Sequence, residues 1–462
     1  MNSLSIFGTS SDAGKSTISF AITYLLHKRG IKVAPFKAQN VSNNSKVTDI
    51  GGEIAIPQAF AAEAIGLKTT PFMNPILLKS GGASKAHIIV NGKSIQNKDV
   101  WSYYRDMDML KPHVKKAFKK LQKEYECIVA EGAGSPVELN LMDKDLSNIY
   151  IAKKFNTKII LVADIERGGV FASIYGVYKL LPKKLRKNII GVIINKFRGD
   201  MSLFDEGIDI IQNRFGIKVL GVVGYKPFNL GFEDSQSLMS YKQNTNKAII
   251  KVGVIKLPHI SNFTDFEPLV VDAEIELNFI QSPSEAQSCD MLILPGSKRV
   301  VDDLLWLRER GFEQLLTSDE KHIVAICGGY EMMHEKIVDA QLVESQQSLL
   351  KGFGRFKGSV EFKNKKVVKK GCYRVFGIMT QAYEIHNGIT KKRNKTKGKL
   401  YGTFLHGIFD NDEIREKLFK EINPNYKGYD FAKFKLDAVS EFANHVDKAI
   451  DIDFVLRELD AQ

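Results

Sequence analysis

The sequence predicts an α/β protein with two domains, on the basis of its length, its balanced composition and its alternating apolar pattern. The chain has 462 residues, of which 44% are hydrophobic, 10% aromatic and 26% charged, as in ordinary folded proteins. At about 100–200 residues per domain, this length predicts two or three domains. Short β-branched runs separated by longer amphipathic segments indicate parallel strands joined by crossover helices.

The first half of the chain repeats this pattern of strand and helix. Apolar residues three or four apart from Ile18 to Leu26 predict a helix that ends before Gly30. The predicted strands of this half are Leu4–Phe7, Ile128–Ala130, Ile159–Ala163, Ile189–Ile194 and Val219–Val223. We therefore expect a first α/β domain over residues 1–228.

A polar stretch follows, and the pattern then restarts. Residues 229–248 are poor in periodic apolar residues and are the predicted linker. Beyond it, the predicted strands are Val252–Ile255, Met291–Leu294, Ile323–Ile326 and a late strand at Thr403–Leu405. We expect a second α/β domain over residues 249–462 that ends in a helical extension.

Charge and cysteine content narrow the class of protein. The 66 Lys and Arg against 53 Asp and Glu give a net charge of +13, which favours anionic ligands. Many lysines, such as those at 363–370 and 391–399, lie in polar segments interpreted as solvated loops. No basic strand with interleaved aromatic residues and no helix-turn-helix pattern accompanies the charge, so we expect no nucleic-acid partner. The four cysteines are scattered, which predicts reduced thiols.

Membrane association is not expected either. No run approaches the roughly 18 apolar residues of a membrane span. The N-terminus opens on a strand-like segment and lacks the charged and then apolar pattern of a secretion signal. The sequence therefore predicts a cytoplasmic protein.

A phosphate-binding loop is predicted between the first strand and the first helix. Backbone N–H groups and a helix N-terminus at such a junction can surround phosphate. Lys15 would contact the terminal phosphates, and Ser16 would hold Mg²⁺. Five residues separate the first glycine from the Gly-Lys pair, one more than in the usual motif, so the loop is a variant. It consists of Gly8, Thr9, Ser10, Ser11, Asp12, Ala13, Gly14, Lys15, Ser16 and Thr17.

Carboxylates at the ends of neighbouring strands would complete a site for phosphoryl transfer. Glu131 directly follows the strand Ile128–Ala130 and is the first candidate metal ligand. Glu138 is a second candidate, with a surface role as the alternative. Lys37, after the run from Val33 to Phe36, would add positive charge at the same sheet edge, although a solvated lysine is an alternative.

A nucleophilic thiol is predicted in the second half. Cys327 follows the strand Ile323–Ile326 and precedes two glycines and a helical segment, as a nucleophile on a strand-to-helix turn would. The helix N-terminus is expected to lower the thiol pKa. His406, at the end of a strand, is the first candidate base, and His386 is the alternative. Backbone N–H groups of Gly296 and Gly328 could form an oxyanion hole.

Beyond these motifs, the sequence resembles the cobyric acid synthase family over nearly its whole length. INKFRGD (194–200) and ISNFTDF (260–266) are long segments typical of that family. The other matching segments are 33–45, 73–79, 131–141, 164–173, 294–297 with 303–308, and 402–412. The resemblance implies an N-terminal domain similar to dethiobiotin synthetase and a C-terminal domain similar to class I glutamine amidotransferases.

The resemblance also implies a reaction in cobalamin biosynthesis. Members of this family amidate the b, d, e and g carboxylates of adenosylcobyrinic acid a,c-diamide, using ATP and ammonia from glutamine, and give adenosylcobyric acid. Cys327 would be the nucleophile and His406 its base, while Asn195 would contact adenine. The implied substrates are a corrinoid polycarboxylate, L-glutamine and ATP, with Mg²⁺. The oligomeric state is left open.

Some residues depart from the family pattern. Ala325 and Glu331 stand where the family motif has glycine and glutamine, and the position two after His406 is Ile408, where many class I enzymes carry a glutamate. We therefore expect a Cys–His dyad. Cobyrinic acid a,c-diamide synthase, which acts earlier on the ring, is an alternative function. A catalytically silent protein that binds nucleotide or glutamine for regulation is an alternative of another class.

Overall fold

The structure is a computed structural model that describes residues 1–80, 85–99, 107–228, 230–231, 243, 245–345 and 347–461. The chain forms two compact units. Unit 1 consists of Met1–Ser42, Thr48–Phe228 and Lys435–Gln462, and unit 2 of Asn43–Val47 and Asn229–Phe434. Most of the predicted linker, at 229, 232–242 and 244, lies outside the described residues.

Unit 1 is built on a six-stranded parallel sheet. The strand order is Val219–Gly224, Ile189–Phe197, Lys158–Asp164, Leu4–Gly8, Cys127–Glu131 and Val33–Phe36. Most residues of the four central strands are buried, which explains their continuous apolar runs. All five strands predicted in this half are confirmed.

Helices and a smaller sheet complete unit 1. The helix Lys15–Lys28 ends before Gly30, whose φ of +84° is the left-handed conformation expected after a helix. The small sheet has the order Gln39–Val41, Ile76–Ser80, Lys85–Val90, Lys93–Asp99. The other helices are Ile56–Ala64, Lys111–Gln122, Ile149–Phe155, Val170–Leu180, Lys183–Arg186, Asp205–Asp209 and Ile452–Asp460, with a π-helical turn at Ile210–Arg214.

Unit 2 contains two large sheets and a short antiparallel pairing of Ile260–Ser261 with Gly296–Ser297. The first has the order Ile275–Ile280, Ile250–Ile255, Met291–Leu294, His322–Ile326, Leu400–Thr403 and Asn394–Lys397, and only the last pairing is antiparallel. The second has the order Leu349–Lys351, His334–Val338, Phe356–Val375, Ile378–Ile389 and Leu405–His406. The helices are Glu267–Val270, Pro283–Ala286, Val300–Glu309, Glu313–Thr317, Gly328–Met332 and Asp412–Lys420. The predicted α/β fold class is confirmed.

The late strand predicted at Thr403–Leu405 is wrong, because the chain changes sheets there. Thr403 pairs with Ile326 in the first sheet, whereas Leu405 pairs with Glu384 in the second. Phe404 lies between them, and the N–H of Leu405 donates to the Thr403 hydroxyl across the junction. This change of sheet places His406 at the edge of the second sheet.

The loop predicted for the lysine-rich segment 363–370 is wrong, and the loop predicted for 391–399 is wrong at residues 394–397. Lys363, Lys366 and Lys370 belong to the strand Phe356–Val375, which pairs antiparallel with Ile378–Ile389. Residues 394–397 also form a strand. Lysines on a half-exposed antiparallel strand remain solvated, so composition alone did not separate strand from loop.

The C-terminal residues belong to unit 1, whereas the sequence predicted them in the second domain. The helix Phe431–Asp447 continues into unit 1, where the Phe442 and Phe228 rings are 4.6 Å apart. His445 Nε2 lies 2.8 Å from the Gly224 carbonyl oxygen. The N–H of Asn2 donates to the Leu459 carbonyl at 2.7 Å. Residues 435–462 therefore pack with unit 1, although they follow unit 2 in sequence.

No helix in the described part of the chain is both long enough and apolar enough to cross a membrane.

Candidate active sites

The predicted phosphate loop lies between the strand Leu4–Gly8 and the helix Lys15–Lys28. Gly14 has φ +87°, and a Cβ added there would lie 2.1 Å from Asn195 Nδ2. A Cβ on Gly8 would lie 2.8 Å from Lys15 Nζ. Only glycine fits at both positions, because any side chain would collide with the groups packed on the loop.

Polar groups within the loop are already engaged. Lys15 folds back over Gly8 and donates to the Ser10 carbonyl at 3.0 Å. The Thr17 hydroxyl donates to the Gly14 carbonyl at 2.9 Å. The Thr9 N–H donates to the Val162 carbonyl at 2.9 Å, so that N–H helps to anchor the loop to the neighbouring strand.

Asn195 and Asp12 lie at the margin of this loop. Asn195, at the carboxyl end of its strand, donates through Nδ2 to the Ala13 carbonyl at 2.9 Å. Its amide nitrogen therefore stabilises the loop, and its side-chain oxygen is the atom that could face adenine. Asp12 is exposed and lies 3.2 Å from Arg167.

Glu131 is the centre of a buried polar cluster. It is 3% exposed, and its Oε1 accepts from Ser16 Oγ at 2.6 Å and from Lys37 Nζ at 2.8 Å. Gln58 Nε2 donates to the other oxygen at 3.0 Å. The register of the sheet, with Ile6 opposite Glu131, brings this strand end beside the phosphate loop. The structure therefore brings together Ser16, Lys37 and Glu131, as the sequence predicted.

The donor set of this cluster fits a hard cation. A hydroxyl and a carboxylate oxygen 2.6 Å apart are the protein ligands that Mg²⁺ uses beside substrate phosphates. Glu138 lies apart from the cluster, in an exposed turn, and makes no hydrogen bond to it among the described residues. Sequence reasoning missed Gln58, whose only signal was a polar residue near the start of a largely apolar helix.

Cys327 lies on a sharp turn between the strand His322–Ile326 and the helix Gly328–Met332. Its φ of +50° and ψ of −110° are unusual for a residue with a side chain; such conformations cost about 1–3 kcal/mol and concentrate at functional sites. Its N–H donates to the Thr403 carbonyl at 2.7 Å. A Cβ on Gly328 would lie 2.8 Å from the Ser297 nitrogen, and one on Gly329 2.2 Å from the Leu294 carbonyl oxygen. The two glycines therefore allow the turn to pack closely.

His406 is held by a carboxylate that the sequence analysis did not identify. Its Nδ1 lies 2.6 Å from Asp265 Oδ2, and both side chains are 1% exposed. The Gly407 N–H donates to the other Asp265 oxygen at 2.8 Å, and the Tyr383 ring stacks on the imidazole. An ionised carboxylate at Nδ1 selects the tautomer whose Nε2 can accept a proton. The predicted dyad is therefore corrected: the structure adds an aspartate to the histidine.

Strand pairing brings the thiol and this histidine to the same place. Cys327 follows a strand whose last residue pairs with Thr403, and His406 lies three residues beyond that threonine. The thiol lies 3.6 Å from the Ile385 carbonyl oxygen, and His406 pairs with Tyr383 on the same strand. Both residues therefore border one short stretch of the strand Ile378–Ile389.

The alternative base, His386, occupies a different environment. Its Nδ1 lies 2.6 Å from the Gly388 carbonyl oxygen and its Nε2 lies 3.2 Å from Glu384. Burial raises the pKa of Glu384, but contacts with His386 and Arg393 outweigh it and lower that pKa overall. Since both ring nitrogens of His386 face acceptors, His406 is the better candidate base.

Gly296 lies beside His406, and Gly328 directly follows Cys327 in the chain. A Cβ on Gly296 would lie 3.3 Å from His406 Cε1, which places that glycine beside the imidazole. The Gly328 N–H forms a hydrogen bond to the Cys327 sulfur. An oxyanion hole needs backbone donors directed at the substrate oxygen next to the sulfur, so the oxyanion role of Gly296 and Gly328 stays a prediction.

The predicted low pKa of the thiol is wrong for this structure. Burial, and then the nearby carboxyl groups of Glu331 and Asp265, raise the pKa of Cys327 well above its ordinary value. The Gly328 N–H and Lys366 oppose that shift only in part. The following helix has five residues, so its N-terminus contributes little against burial in apolar surroundings.

Comparisons with known proteins agree with the two units. Residues 4–229 match the model of the CobQ/CobB/MinD/ParA nucleotide binding domain, and residues 251–399 match that of the CobB/CobQ-like glutamine amidotransferase domain. The cobyric acid synthase of Acinetobacter baylyi is 51% identical over 465 residues, with all of both chains covered. That of Clostridium perfringens is 38% identical over 94% of this chain and 95% of its own. The probable cobyric acid synthase of Methanosarcina barkeri is 39% identical over 98% of each chain.

Proposed function

The chain belongs to the cobyric acid synthase family, and from that premise we propose that it amidates the b, d, e and g carboxylates of adenosylcobyrinic acid a,c-diamide with ATP and with ammonia from L-glutamine. Family membership makes it a ligase of cobalamin biosynthesis with a glutamine amidotransferase domain. The observation that supports the proposal is that Cys327 and His406 both border the strand Ile378–Ile389, and that His406 Nδ1 is 2.6 Å from Asp265.

The geometry of unit 2 supports a glutaminase reaction in the following steps. His406 Nε2 accepts the thiol proton as the sulfur of Cys327 attacks the γ-carbonyl carbon of glutamine. The N–H groups of Gly296 and Gly328 stabilise the resulting oxyanion. His406 returns the proton to the leaving nitrogen, so that ammonia departs and a thioester remains. Water, deprotonated by the same imidazole, then releases glutamate and regenerates the thiol.

The synthetase half uses unit 1. A carboxylate cannot be displaced directly by ammonia, because its leaving group would be oxide. Transfer of the γ-phosphoryl group of ATP to the carboxylate gives ADP and an acyl phosphate, and ammonia then displaces phosphate to leave the carboxamide. Lys15 and Lys37 are positioned to neutralise phosphate charge. Ser16 and Glu131 are the residues that would hold Mg²⁺, which supplies further charge neutralisation.

Replacement of the thiol tests the division of labour. In the full-length protein, Cys327→Ala is expected to abolish amidation with glutamine but to retain amidation with an added ammonium salt. Cys372→Ala, which changes an exposed cysteine, is the matched control and should retain both activities. If a folded Cys327→Ala protein is not rescued by ammonium, the proposed roles are wrong.

The product distinguishes the alternative functions. Mass spectrometry after incubation with cobyrinic acid or with its a,c-diamide shows which corrinoid gains amide groups. Four added amides on the a,c-diamide support the proposal, whereas two on cobyrinic acid indicate the earlier enzyme. Nucleotide binding without glutaminase or amidation activity would favour the regulatory protein.

A further inference from the structure

Asp303 is a buried carboxyl group that the proposed chemistry does not use. It lies in the first turn of the helix Val300–Glu309, and its side chain is 0% exposed. Its Oδ2 accepts from the Ser297 hydroxyl at 2.5 Å. Its Oδ1 lies 2.8 Å from His259 Nδ1 and accepts from the His259 N–H at 3.3 Å. Each oxygen therefore binds a different segment of the chain.

These two segments lie side by side. Ile260–Ser261, which directly follows His259, pairs antiparallel with Gly296–Ser297. The Lys298 N–H also donates to the His259 carbonyl at 3.0 Å. The side chain of Asp303 therefore connects both segments at the same end of their pairing.

Each of the paired segments leads to a group beside His406. A Cβ on Gly296 would lie 3.3 Å from His406 Cε1. The helical turn Phe263–Phe266 begins two residues after Ser261, and it contains Asp265, which lies 2.6 Å from His406 Nδ1. The surroundings of the imidazole therefore depend on the paired segments on two sides.

Ser297 also packs against the turn that contains the thiol. A Cβ on Gly328 would lie 2.8 Å from the Ser297 nitrogen and 3.0 Å from its Cβ, so the two backbones are in close contact. The Ser297 hydroxyl accepts from the Arg299 N–H at 3.0 Å in addition to its bond with Asp303. A displacement of Ser297 would therefore also affect the residue that follows Cys327.

A buried carboxyl group is an inefficient means of stabilising a fold. Burial raises the pKa of Asp303, and the contacts with Ser297 and His259 offset that rise only in part. Apolar side chains of similar volume often give equal or greater stability than a buried charged group with its partners. A fully hydrogen-bonded buried group does fix the direction and spacing of its partners. The contacts of Asp303 with the two segments beside His406 therefore indicate a role in the geometry of the site.

We propose that Asp303 is a positioning residue for glutamine hydrolysis, and that it acts through Ser297 and His259. It fixes the spacing of the paired segments and thereby the surroundings of the His406 imidazole. The proposal rests on the glutaminase activity proposed above. A misplacement of about 1 Å can lower the rate of a reaction about 100-fold, so the loss of this positioning should appear in kcat.

Two variants each remove one partner of Asp303. Ser297→Ala removes the hydroxyl, and His259→Ala removes an imidazole that is 33% exposed. Each variant should lower kcat for glutamate release on the order of 10-fold, with KM within about threefold of wild type. Tyr426→Phe is the matched control, because it removes another buried hydroxyl that donates to a carboxylate, that of Asp272 at 2.5 Å. This control should lose thermal stability and keep its kcat.

The kinetic outcomes decide between positioning and stability. An unchanged kcat in either folded variant, or a change mainly in KM, would overturn the proposal. A similar loss of kcat in Tyr426→Phe would show that lost stability alone is responsible and would also overturn it. Asp303→Asn keeps the size of the side chain and should lower kcat in the same way, so it provides the test if an alanine variant does not fold.

The double variant tests whether Asp303 connects its two partners. Because Ser297 and His259 act through one carboxyl group, Ser297→Ala combined with His259→Ala should lower kcat by less than the product of the two single effects. Effects that multiply would show two independent contacts and would overturn the role of Asp303.

The hydrogen bond of His406 gives a readout that needs no turnover. In protein with isotope-labelled histidine, the Nδ1 proton that faces Asp265 should give a downfield NMR resonance, assigned by its loss in Asp265→Asn. Ser297→Ala and His259→Ala should shift this resonance, whereas Tyr426→Phe should not. An unchanged resonance in either folded variant would overturn the proposal. Absence of glutamine hydrolysis by wild-type protein would contradict the proposed function, whereas a shifted resonance would still support the positioning role.

Discussion

Asp265 offers the sharpest test of the glutaminase site, because its carboxylate fixes the tautomer of His406. In Asp265→Asn, an amide replaces the oxygen that lies 2.6 Å from Nδ1. The Gly407 N–H needs the other oxygen as its acceptor, so the amide NH₂ turns toward the imidazole. Nδ1 must then accept a hydrogen bond, and the ring proton moves to Nε2, where it blocks deprotonation of the thiol.

The expected loss can be scaled from a serine protease with the same arrangement, in which this change lowers kcat by about 10,000-fold. A thiol loses its proton more readily than a hydroxyl, so we expect a loss on the order of 100- to 10,000-fold, or about 2.7 to 5.4 kcal/mol at 1.36 kcal/mol per tenfold. The change also removes a charge-assisted hydrogen bond, whose contribution to the free energy of unfolding is about 1.5–3 kcal/mol.

The assay measures glutamate release by full-length protein at saturating glutamine. Amidation driven by an ammonium salt is measured beside it, and Asp265→Asn should leave that activity unchanged. Asp272→Asn is a matched control, because Asp272 is also buried and accepts from Tyr426 at 2.5 Å. That variant should lose stability without a comparable loss of kcat. A kcat within about threefold of wild type in folded Asp265→Asn would refute the reasoning and restore the simple dyad.

Three further predictions address other groups. Gly14→Ala should abolish binding of a fluorescent ATP analogue, because the added Cβ would lie 2.1 Å from a side-chain nitrogen and φ is +87°; normal binding would contradict this account of the loop. Glu131→Gln should weaken Mg²⁺-dependent ATP binding at least about 10-fold, since Lys37 loses a charged partner. Glutaminase activity should stay intact, and unchanged ATP binding would contradict the role of Glu131, whereas a loss of both ATP binding and glutaminase activity would indicate misfolding. Iodoacetamide should label Cys327 slowly at neutral pH, and the labelling rate should keep rising above pH 9, because the raised pKa lowers the thiolate fraction at any given pH. Mass spectrometry measures the labelling, and a rate that reaches its plateau below pH 7 would contradict the raised pKa.

Local patterns predicted much of both sites. The phosphate loop and the turn at Cys327 each consist of one strand, glycines and one helix, so adjacent residues contain the whole signal. The position of Glu131 at the site could also be predicted, because parallel strands place their carboxyl ends at one edge of the sheet.

Contacts distant in sequence were not predictable in this way. Asp265 lies 141 residues before His406, and the dyad was inferred only from Ile408, two residues after the histidine. The thiol pKa depends on burial and on two carboxyl groups from different elements, which no local pattern encodes. Likewise, the polar side chain of Gln58 acquires its role only when its helix packs beside Glu131.

The way the chain is divided between the units has a consequence for attempts to dissect the protein. Asn43–Val47 belongs to unit 2 although unit 1 residues surround it in sequence, and Lys435–Gln462 returns to unit 1. A single cut near residue 228 would therefore give two incomplete fragments: one would lack the aromatic partner of Phe228, and the other would lack Asn44, whose side chain accepts from the Asn262 N–H at 2.9 Å. Independent expression of either half calls for a circularly permuted or relinked gene.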